Sequence, residues 1–275
     1  FTITEGTSII AATEAVKIGE YLSAQLKPAT GFALKVTPGT AATKGSIFLT
    51  LGGDASLGDE GYELSVTADQ VTVTAQKPAG LFYGIQTIKQ LLPEAINASA
   101  KQEAKWELQS VTIKDQPSYA YRGSMLDIAR HFFGVEDIKR YIDLIATYKM
   151  NTLHLHLTDD QGWRIEIKSL PKLTEVGAWR VDKTGTFNRF SKPEPDEPRT
   201  YGGFLTQQDI KDLVQYAKDR FVNILPEIDV PGHSMAALAA YPELSCKKEP
   251  KKVNPGAKFA DWFGNGQFKM LIENT

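Results

Sequence analysis

The sequence predicts an α/β fold in which parallel βαβ units follow a smaller α+β unit. From Tyr121 onward, short apolar runs alternate with helical patterns long enough to cross over a sheet. Before Gln116 and Pro117, two helical patterns are instead combined with strands of alternating polarity. The pattern after Tyr121 fits an α/β barrel and also an open doubly wound sheet.

The first unit is predicted to lay two helices on a sheet. Apolar residues recur at helical spacing over residues 15–26, behind Thr13 as the N-terminal cap, and again over residues 81–92 before Pro93. Alternation and apolar runs predict strands at 46–51, 62–66, 71–75 and 111–113.

The second part is predicted to contain three parallel strands. Apolar runs mark these strands at 123–128, 151–157 and 222–228. The helix between the first two strands ends at Lys149, and a capping box starting at Thr206 opens the helix before the third. The Pro-rich stretch 180–205 is expected to form a loop over the mouth of the fold, where it can shape specificity.

The composition is that of an ordinary globular protein. Of 275 residues, 42% are hydrophobic, which is enough for the core of one large domain or two medium ones. Lys and Arg number 31 against 33 Asp and Glu, so the charge gives no reason to expect nucleic acid or an acidic membrane as partner. No apolar run approaches the roughly 18 residues of a membrane helix. The single Cys246 excludes an intrachain disulfide.

Each predicted strand of the second part ends in ionisable residues. Because the carboxyl ends of barrel strands meet at one face, which carries the active site, we expect these side chains to converge. Solvated loop ends explain one such cluster, but the coincidence of three favours a functional site. The clusters are Asp127, Arg130 and His131, then Asp159 and Asp160, and finally Glu227, Asp229 and His233.

Two of these clusters keep alternative interpretations. Arg130 is either a surface charge or a fork of donors for the vicinal hydroxyls of a sugar or for a carboxylate, and the second is favoured. Asp159 and Asp160 either serve a site or cap the turn before Gly162. The sequence alone does not separate these alternatives.

Histidine and tryptophan side chains raise two further possibilities. His154 and His156 alternate on one face of a strand, a spacing that can bind a metal, but the chain has only four histidines. Hydrogen-bonded interior histidines are therefore favoured, and no metal site is predicted. Trp163 and Trp179 are either core residues or flat platforms for a sugar ring.

Four segments of the second part are long enough to indicate a family. They read YRGSMLDIARHFF (121–133), NTLHLHLTDDQGWRIEI (151–167), YGGFLTQQDI (201–210) and LPEIDVPGHSMAALAAYPEL (225–244). In content and order they resemble the family 20 glycoside hydrolases, the β-N-acetylhexosaminidases. This resemblance covers residues 119–244. Residues 1–116 resemble, less specifically, the small α+β domain that precedes the barrel in this family.

The resemblance implies a (β/α)8 TIM barrel, of which this chain carries the first three strands, after a small α+β domain. The implied domains are 1–116 and 117–275. The implied reaction removes a terminal N-acetylglucosamine or N-acetylgalactosamine from the non-reducing end of a glycan. The substrate's own 2-acetamido oxygen attacks the anomeric carbon, and an enzyme Glu protonates the leaving oxygen. Neither step requires a cofactor or a metal.

The resemblance also implies roles for particular residues. Arg130 would hydrogen-bond the 3- and 4-hydroxyls of the sugar. Asp159 and His233 would support the acid Glu and tune its proton affinity. Asp229 would hold its loop and the histidine in place. Structural support of the site is expected from Asp127, Glu227 and Asp229.

The chain departs from the family pattern in one respect. The family's Asp-Glu pair follows the fourth barrel strand, and no such strand is recognised before Thr275. Residues 117–275 are also fewer than the roughly 250 of a complete barrel. We therefore expect this chain to be the front part of a longer enzyme, truncated before the fourth strand and inactive by itself.

The expected partner is a glycan with a terminal N-acetylhexosamine, with neither nucleic acid nor a membrane span involved. The oligomeric state is not predicted. A bacterial periplasmic or secreted location is expected, because glycan substrates suit that setting. The alternatives are a non-catalytic barrel remnant that binds N-acetylhexosamine, and a metal-dependent barrel hydrolase using His154, His156 and a carboxylate.

Overall fold

The computed structural model describes residues 1–183 and 193–255, and the chain divides into two compact units. The first unit comprises residues 1–120 with 147–149, and the second comprises residues 121–146 with the chain from residue 150 onward. The domain boundary between residues 116 and 117 stays a prediction. No helix in the described ranges has the length and apolarity needed to cross a membrane.

The first unit is built on one sheet. Its strands and helices are, in chain order, β1 (Ser8–Ala11), α1 (Val16–Thr30), β2 (Lys35–Pro38), β3 (Ser46–Leu51), β4 (Tyr62–Val66), β5 (Val71–Ala75), α2 (Pro78–Leu91) and β6 (Val111–Asp115). The strand order is β2-β1-β3-β5-β4-β6. The β2, β1, β3 and β5 strands run parallel, whereas β4 pairs antiparallel with both β5 and β6.

The two helices of the first unit bury the apolar stripes that the sequence predicts. Along β4 and β5, buried residues alternate with half-buried ones, as expected for a sheet covered on one face. Helix α2 approaches this face closely at Gly84, where a Cβ atom would lie only 2.4 Å from Cγ1 of Val73. Glycine at this position therefore allows the close contact between the helix and the sheet.

Two local expectations for the first unit were wrong or incomplete. Thr13 does not cap α1, because Thr13–Ala15 form a 3₁₀ turn and the helix begins after Ala15 with no side-chain cap. The amide of Ala15 instead donates to the Ala12 carbonyl within that turn. Strands β1 and β2 were not predicted, since each has only four residues and β2 is an edge strand ending in proline.

The second unit contains the predicted parallel strands. Its strands and helices are β7 (Gly123–Asp127), α3 (Val135–Thr147), β8 (Thr152–His156), β9 (Thr158–Asp159), β10 (Gly162–Trp163), α4 (Lys172–Glu175), β11 (Trp179–Arg180), β12 (Tyr201–Gly202), α5 (Gln207–Lys218), β13 (Asn223–Glu227) and α6 (Met235–Ala240). The β7, β8 and β13 strands form a parallel sheet with β8 in the centre. This order follows the chain, as it does along a barrel wall. The predicted fold class is confirmed.

The capping box predicted at Thr206 is confirmed. The hydroxyl of Thr206 accepts from the backbone amide of Asp209 at 3.1 Å, and the Asp209 carboxylate accepts from the backbone amide of Thr206 at 2.8 Å. These two bonds satisfy donors that the first turn of α5 would otherwise leave unpaired. The start of α5 is thus encoded locally.

An apolar cluster lies beside the hairpin formed by β9 and β10. Trp163, Leu173, Ala236, Ala237, Ala240 and Val253 form this cluster. The indole of Trp163 is buried in it and donates to the Ile165 carbonyl at 2.8 Å. Trp163 is therefore a core residue and not a platform for a sugar, whereas Trp179 is half-buried in β11.

Candidate active site

The carboxyl ends of the three parallel strands form one row of ionisable residues. Asp127 ends β7, His156 ends β8 and Glu227 ends β13. The pairing register sets His156 directly opposite Asp127 on one side and Glu227 on the other. Side chains in register on parallel strands point to the same face, so the sheet itself gathers two carboxylates around one imidazole.

Asp159 lies at the centre of the site and is 1% exposed. Its Oδ2 accepts from Nε2 of His156 and from Nη2 of Arg130, both at 2.8 Å. Its Oδ1 accepts from Nδ1 of His233 at 3.1 Å and from the Asp160 amide at 2.7 Å. Burial alone would raise the pKa of Asp159, but the hydrogen bond from His156, the Asp160 amide and the charges of Arg130 and His233 bring it below 3.8. The buried carboxylate is therefore ionised at neutral pH.

Arg130 joins two of these carboxylates. Its Nη1 lies 2.5 Å from Oδ2 of Asp127, and its Nη2 binds Asp159. The other Asp127 oxygen accepts from the backbone amides of Ala129 and Arg130, so this carboxylate also fixes the turn that carries the arginine. Burial lowers the pKa of Arg130, but the bond to Asp127 and the nearby carboxylate charges more than offset this and raise it. With 36% of its side chain exposed, Arg130 can present further N–H groups to a ligand.

His233 reaches Asp159 from the loop after β13. Its backbone φ is +49°, in the left-handed region that residues other than glycine rarely occupy. The loop is tied to the β9–β10 hairpin, because the Asp229 amide donates to Oγ1 of Thr158 at 2.9 Å and the Met235 amide donates to Oδ1 of Asp160 at 3.0 Å. The described hydrogen bond of Asp229 thus comes from its backbone, and a role for its carboxylate stays a prediction.

Glu227 links the two strand histidines. Its Oε1 lies 3.0 Å from Nδ1 of His156, and its Oε2 lies 2.5 Å from Nε2 of His154. Both histidines are therefore hydrogen-bonded to a carboxylate of the neighbouring strand, but only His156 is buried, as the favoured interpretation expected, whereas His154 is half-buried.

The sequence pattern did not point to Arg164, which binds the backbone just before Arg130. Arg164 is 0% exposed, and its guanidinium donates to backbone carbonyls alone in the described hydrogen bonds. These acceptors belong to Ile128, Ala129, Gln161, Ala178 and Gly203. Burial and the nearby charge of Arg180 lower the pKa of Arg164 to about 10. In the sequence Arg164 is one charged residue among several between Asp159 and Glu166, a signal too weak to assign a role.

Arg180 is a second buried arginine that the sequence did not single out. Its Nη2 donates to the Arg130 carbonyl at 3.2 Å, and its Nη1 donates to the Pro255 carbonyl at 2.8 Å. The guanidinium lies 4.3 Å from the ring centre of Tyr201, whose hydroxyl accepts from the Phe132 amide. Two buried arginines and a tyrosine thus hold the backbone on both sides of Arg130.

Residues 184–192 of the loop expected at the mouth lie outside the described residues.

Asp159, Asp160 and His233 bring ligand-type atoms within 4.8 Å of one another. The two carboxylates already accept hydrogen bonds from His156, Arg130 and the Met235 amide. Both carboxylates are buried and hydrogen-bonded, and no metal is assigned to this cluster. His154 and His156 do not contribute to the cluster, which weakens the metal-dependent alternative.

A barrel wall with convergent polar side chains at the carboxyl ends of its strands is the arrangement of the TIM-barrel enzymes. Sequence profiles refine that class. The profile described as glycosyl hydrolase family 20, catalytic domain, matches residues 119–274, and the one described as domain 2 matches residues 1–116. The chain belongs to glycosyl hydrolase family 20, and the resemblance seen in its motifs is confirmed.

Similar proteins agree with this assignment. A beta-hexosaminidase of Porphyromonas gingivalis is 41% identical over 256 residues, which are 93% of this chain and 31% of that protein. The family 20 β-N-acetylhexosaminidase of Streptomyces coelicolor A3(2) superposes with a TM-score of 0.82 at 42% identity, covering 94% of this chain and 49% of that one. A mutant Streptomyces plicatus beta-hexosaminidase in complex with its product GlcNAc gives a TM-score of 0.83 at 45% identity, covering 94% and 48%. The chain thus spans about a third to a half of the length of these relatives.

Proposed function

We propose that the full-length protein containing this chain is an exo-acting β-N-acetylhexosaminidase that releases terminal N-acetylglucosamine or N-acetylgalactosamine from the non-reducing end of glycans. The observation that carries the proposal is the buried Asp159 carboxylate, held between Arg130 and His233 at the carboxyl edge of parallel strands. Membership of a glycoside hydrolase family supports the reaction class. The S. plicatus relative, which binds GlcNAc as its product, supports the sugar.

The proposed mechanism is retaining and uses the substrate as its own nucleophile. The 2-acetamido oxygen attacks the anomeric carbon, the glycosidic bond breaks, and a carboxylic acid donates its proton to the leaving oxygen. Water then opens the oxazolinium intermediate and restores the original anomeric configuration. We assign the acid and the residue that orients the acetamido group to a part of the protein outside this chain.

The residues of this chain would bind the sugar and fix the tautomer of His233. Arg130 is proposed to donate to the 3- and 4-hydroxyls, because its fork of donors is anchored on two carboxylates and remains partly exposed. An ionised Asp159 accepts a hydrogen bond from Nδ1–H of His233 and so sets its tautomer.

Hydrolysis of p-nitrophenyl N-acetyl-β-D-glucosaminide by the full-length protein tests the proposal. Arg130→Ala is expected to lower kcat/KM roughly a hundredfold, the effect of losing charged hydrogen bonds that contribute about 2–3 kcal/mol. Arg140→Ala is the matched control, because Arg140 is 79% exposed and pairs with Asp137 on the surface of α3. An unchanged kcat/KM in Arg130→Ala would show that the sugar-binding assignment is wrong.

Two measurements test the mechanism itself. The corresponding β-glucoside, which lacks the acetamido group, should not be turned over, and NMR should detect the β-anomer as the first product. Inversion at the anomeric carbon would exclude the proposed intermediate. Calorimetric binding of N-acetylglucosamine by a protein without turnover would instead support the non-catalytic alternative. A periplasmic or secreted location belongs to the same proposal, and cell fractionation tests it.

A further inference from the structure

Both ring nitrogens of His156 face carboxylates. Nδ1 lies 3.0 Å from Oε1 of Glu227, and Nε2 lies 2.8 Å from Oδ2 of Asp159. A neutral imidazole carries one N–H and one acceptor nitrogen, so it would turn a lone pair toward one of these oxygens. Ionised carboxylates can only accept, so the two contacts are satisfied together when both nitrogens carry protons.

The surroundings of His156 favour a positive charge. His156 is 5% exposed, and three carboxylates surround it. Asp127 and Glu227 lie opposite it on the neighbouring strands β7 and β13, and Asp159 approaches from β9. His154 lies two residues before it on β8, and Arg130 and His233 both bind Asp159, the carboxylate next to His156. Arg130 supplies a cation between Asp127 and Asp159, whereas His156 is the group that lies between Asp159 and Glu227, where a positive charge offsets the repulsion of the two carboxylates.

The hydrogen bonds form a continuous path from the sheet to the site. It runs from His154 to Glu227, His156, Asp159 and His233. Each oxygen of Asp159 accepts two bonds along or beside this path, so the carboxylate cannot rotate without breaking several of them. The orientation of His233 therefore depends on the groups that hold Asp159, namely His156, Arg130 and the Asp160 amide.

We propose that His156 is a cationic positioning residue, whose imidazolium joins Glu227 to Asp159 and keeps Asp159 ionised and oriented toward His233. The hydrogen bond to Asp159 raises the pKa of His156 above 6.5 against the opposing effect of burial, and the bond to Glu227 raises it further. The effect on turnover rests on the proposed function. The charge state of His156 does not.

Nitrogen NMR of the full-length protein labelled with ¹⁵N-histidine tests the charge state. The His156 signal is assigned by its loss in His156→Gln. We expect both ring nitrogens to be protonated at pH 7, which is above the ordinary histidine pKa of 6.5. One protonated and one bare nitrogen at pH 7 would overturn the proposal, whether or not the protein hydrolyses a glycan.

The pH profile of hydrolysis tests the positioning role. His156→Gln should lower kcat about ten- to a hundredfold with little change in KM, as misplacement of a supporting group does. The acidic limb of the pH profile of kcat should move to higher pH, because Asp159 is protonated more easily without its neighbouring cation. Glu227→Gln should shift the limb in the same direction by less, and it keeps the test open if His156→Gln does not fold.

A stability control separates positioning from general destabilisation. Leu213→Ala removes a buried side chain of α5 without touching the hydrogen-bonded path, so it should lower the melting temperature and leave the acidic limb in place. A folded His156→Gln with the wild-type limb and kcat would overturn the positioning role. A wild-type protein without hydrolysis would overturn the proposed function, while the NMR result would still decide the charge state.

Discussion

The two units of the chain bury different kinds of polar side chain. In the first unit, the buried polar residues are Thr7, Thr30, Ser46, Gln86 and Thr87, none of them charged. In the described part of the second unit, they include His156, Asp159, Asp160, Arg164 and Arg180. Burying a charge is costly unless it is paired and hydrogen-bonded. The second unit therefore keeps buried charges where they serve a site, whereas the first is held by apolar packing.

The two units also differ in the charge of the buried groups that join remote parts of the chain. In the first, the hydroxyls of Tyr62 and Thr87, 25 residues apart, lie 2.6 Å from one another, and neither group is charged. In the second, Arg164 reaches carbonyls up to 39 residues distant, and Asp159 binds His233, 74 residues away. Buried charges thus tie remote segments of the second unit together, so their removal should disturb it far more than a comparable change disturbs the first.

Replacing Arg164 should give the largest effect. Arg164→Met keeps much of the apolar stem but leaves buried carbonyls such as those of Ala129 and Ala178 without their donor. At about 1–3 kcal/mol for each unsatisfied group, we expect the free energy of unfolding to fall by about 4 kcal/mol or more. Urea denaturation of the full-length protein measures it, with Arg140→Met on the exposed surface as control. A loss below about 1 kcal/mol would mean that Arg164 is not the organising residue.

Removing a core leucine of the first unit should cost somewhat less. Leu64 is fully buried in β4, and Leu64→Ala creates a cavity that typically lowers the free energy of unfolding by about 2–5 kcal/mol. Because no charged group is involved, the pH profile of hydrolysis should not change. A shifted profile would contradict the contrast between an apolar first unit and a charged second one.

The pH dependence of stability should show that the pKa of His156 is raised in the folded protein. Its pKa is raised in the folded protein, so its contribution is fully present below pH 6.5 and is lost as pH rises through the folded value. Asp159 acts in the opposite direction: its lowered pKa stabilises above pH 3.8, and this contribution is lost as pH falls through the folded value. The melting temperatures of wild type and His156→Gln should therefore differ most near pH 6.5 or just below and converge at alkaline pH. A constant difference would contradict the raised pKa.

Loss of a helix cap should give the smallest effect. Thr206→Ala removes one half of the capping box of α5 and is expected to lower the free energy of unfolding by about 1 kcal/mol.

Helices α1 and α2 of the first unit have no side-chain cap, so Ala15→Ser at the N-cap of α1 is the reciprocal test. Because Ala15 is buried, a gain there would have to exceed the cost of burying the hydroxyl.

The sequence by itself determined the elements whose signals are local. The βαβ alternation, the capping box at Thr206 and the polar residues at three strand ends depend on neighbours within a few positions. Long motifs such as the run 151–167 were specific enough to indicate the family. Thr13 failed as a cap because a 3₁₀ turn, invisible in the pattern, shifted the start of the helix.

Only the tertiary structure decided which of these residues meet. Hydrogen bonds that join His156 to Glu227, or Arg164 to the carbonyl of Gly203, cross many residues and leave no periodic trace in the sequence. Burial and the partners it brings also shift the pKa values of these groups, since the same imidazole or guanidinium on the surface would titrate near its ordinary pKa. Charge and position in this site are therefore properties of the folded sheet, because desolvation and partner geometry exist only after the strands pair.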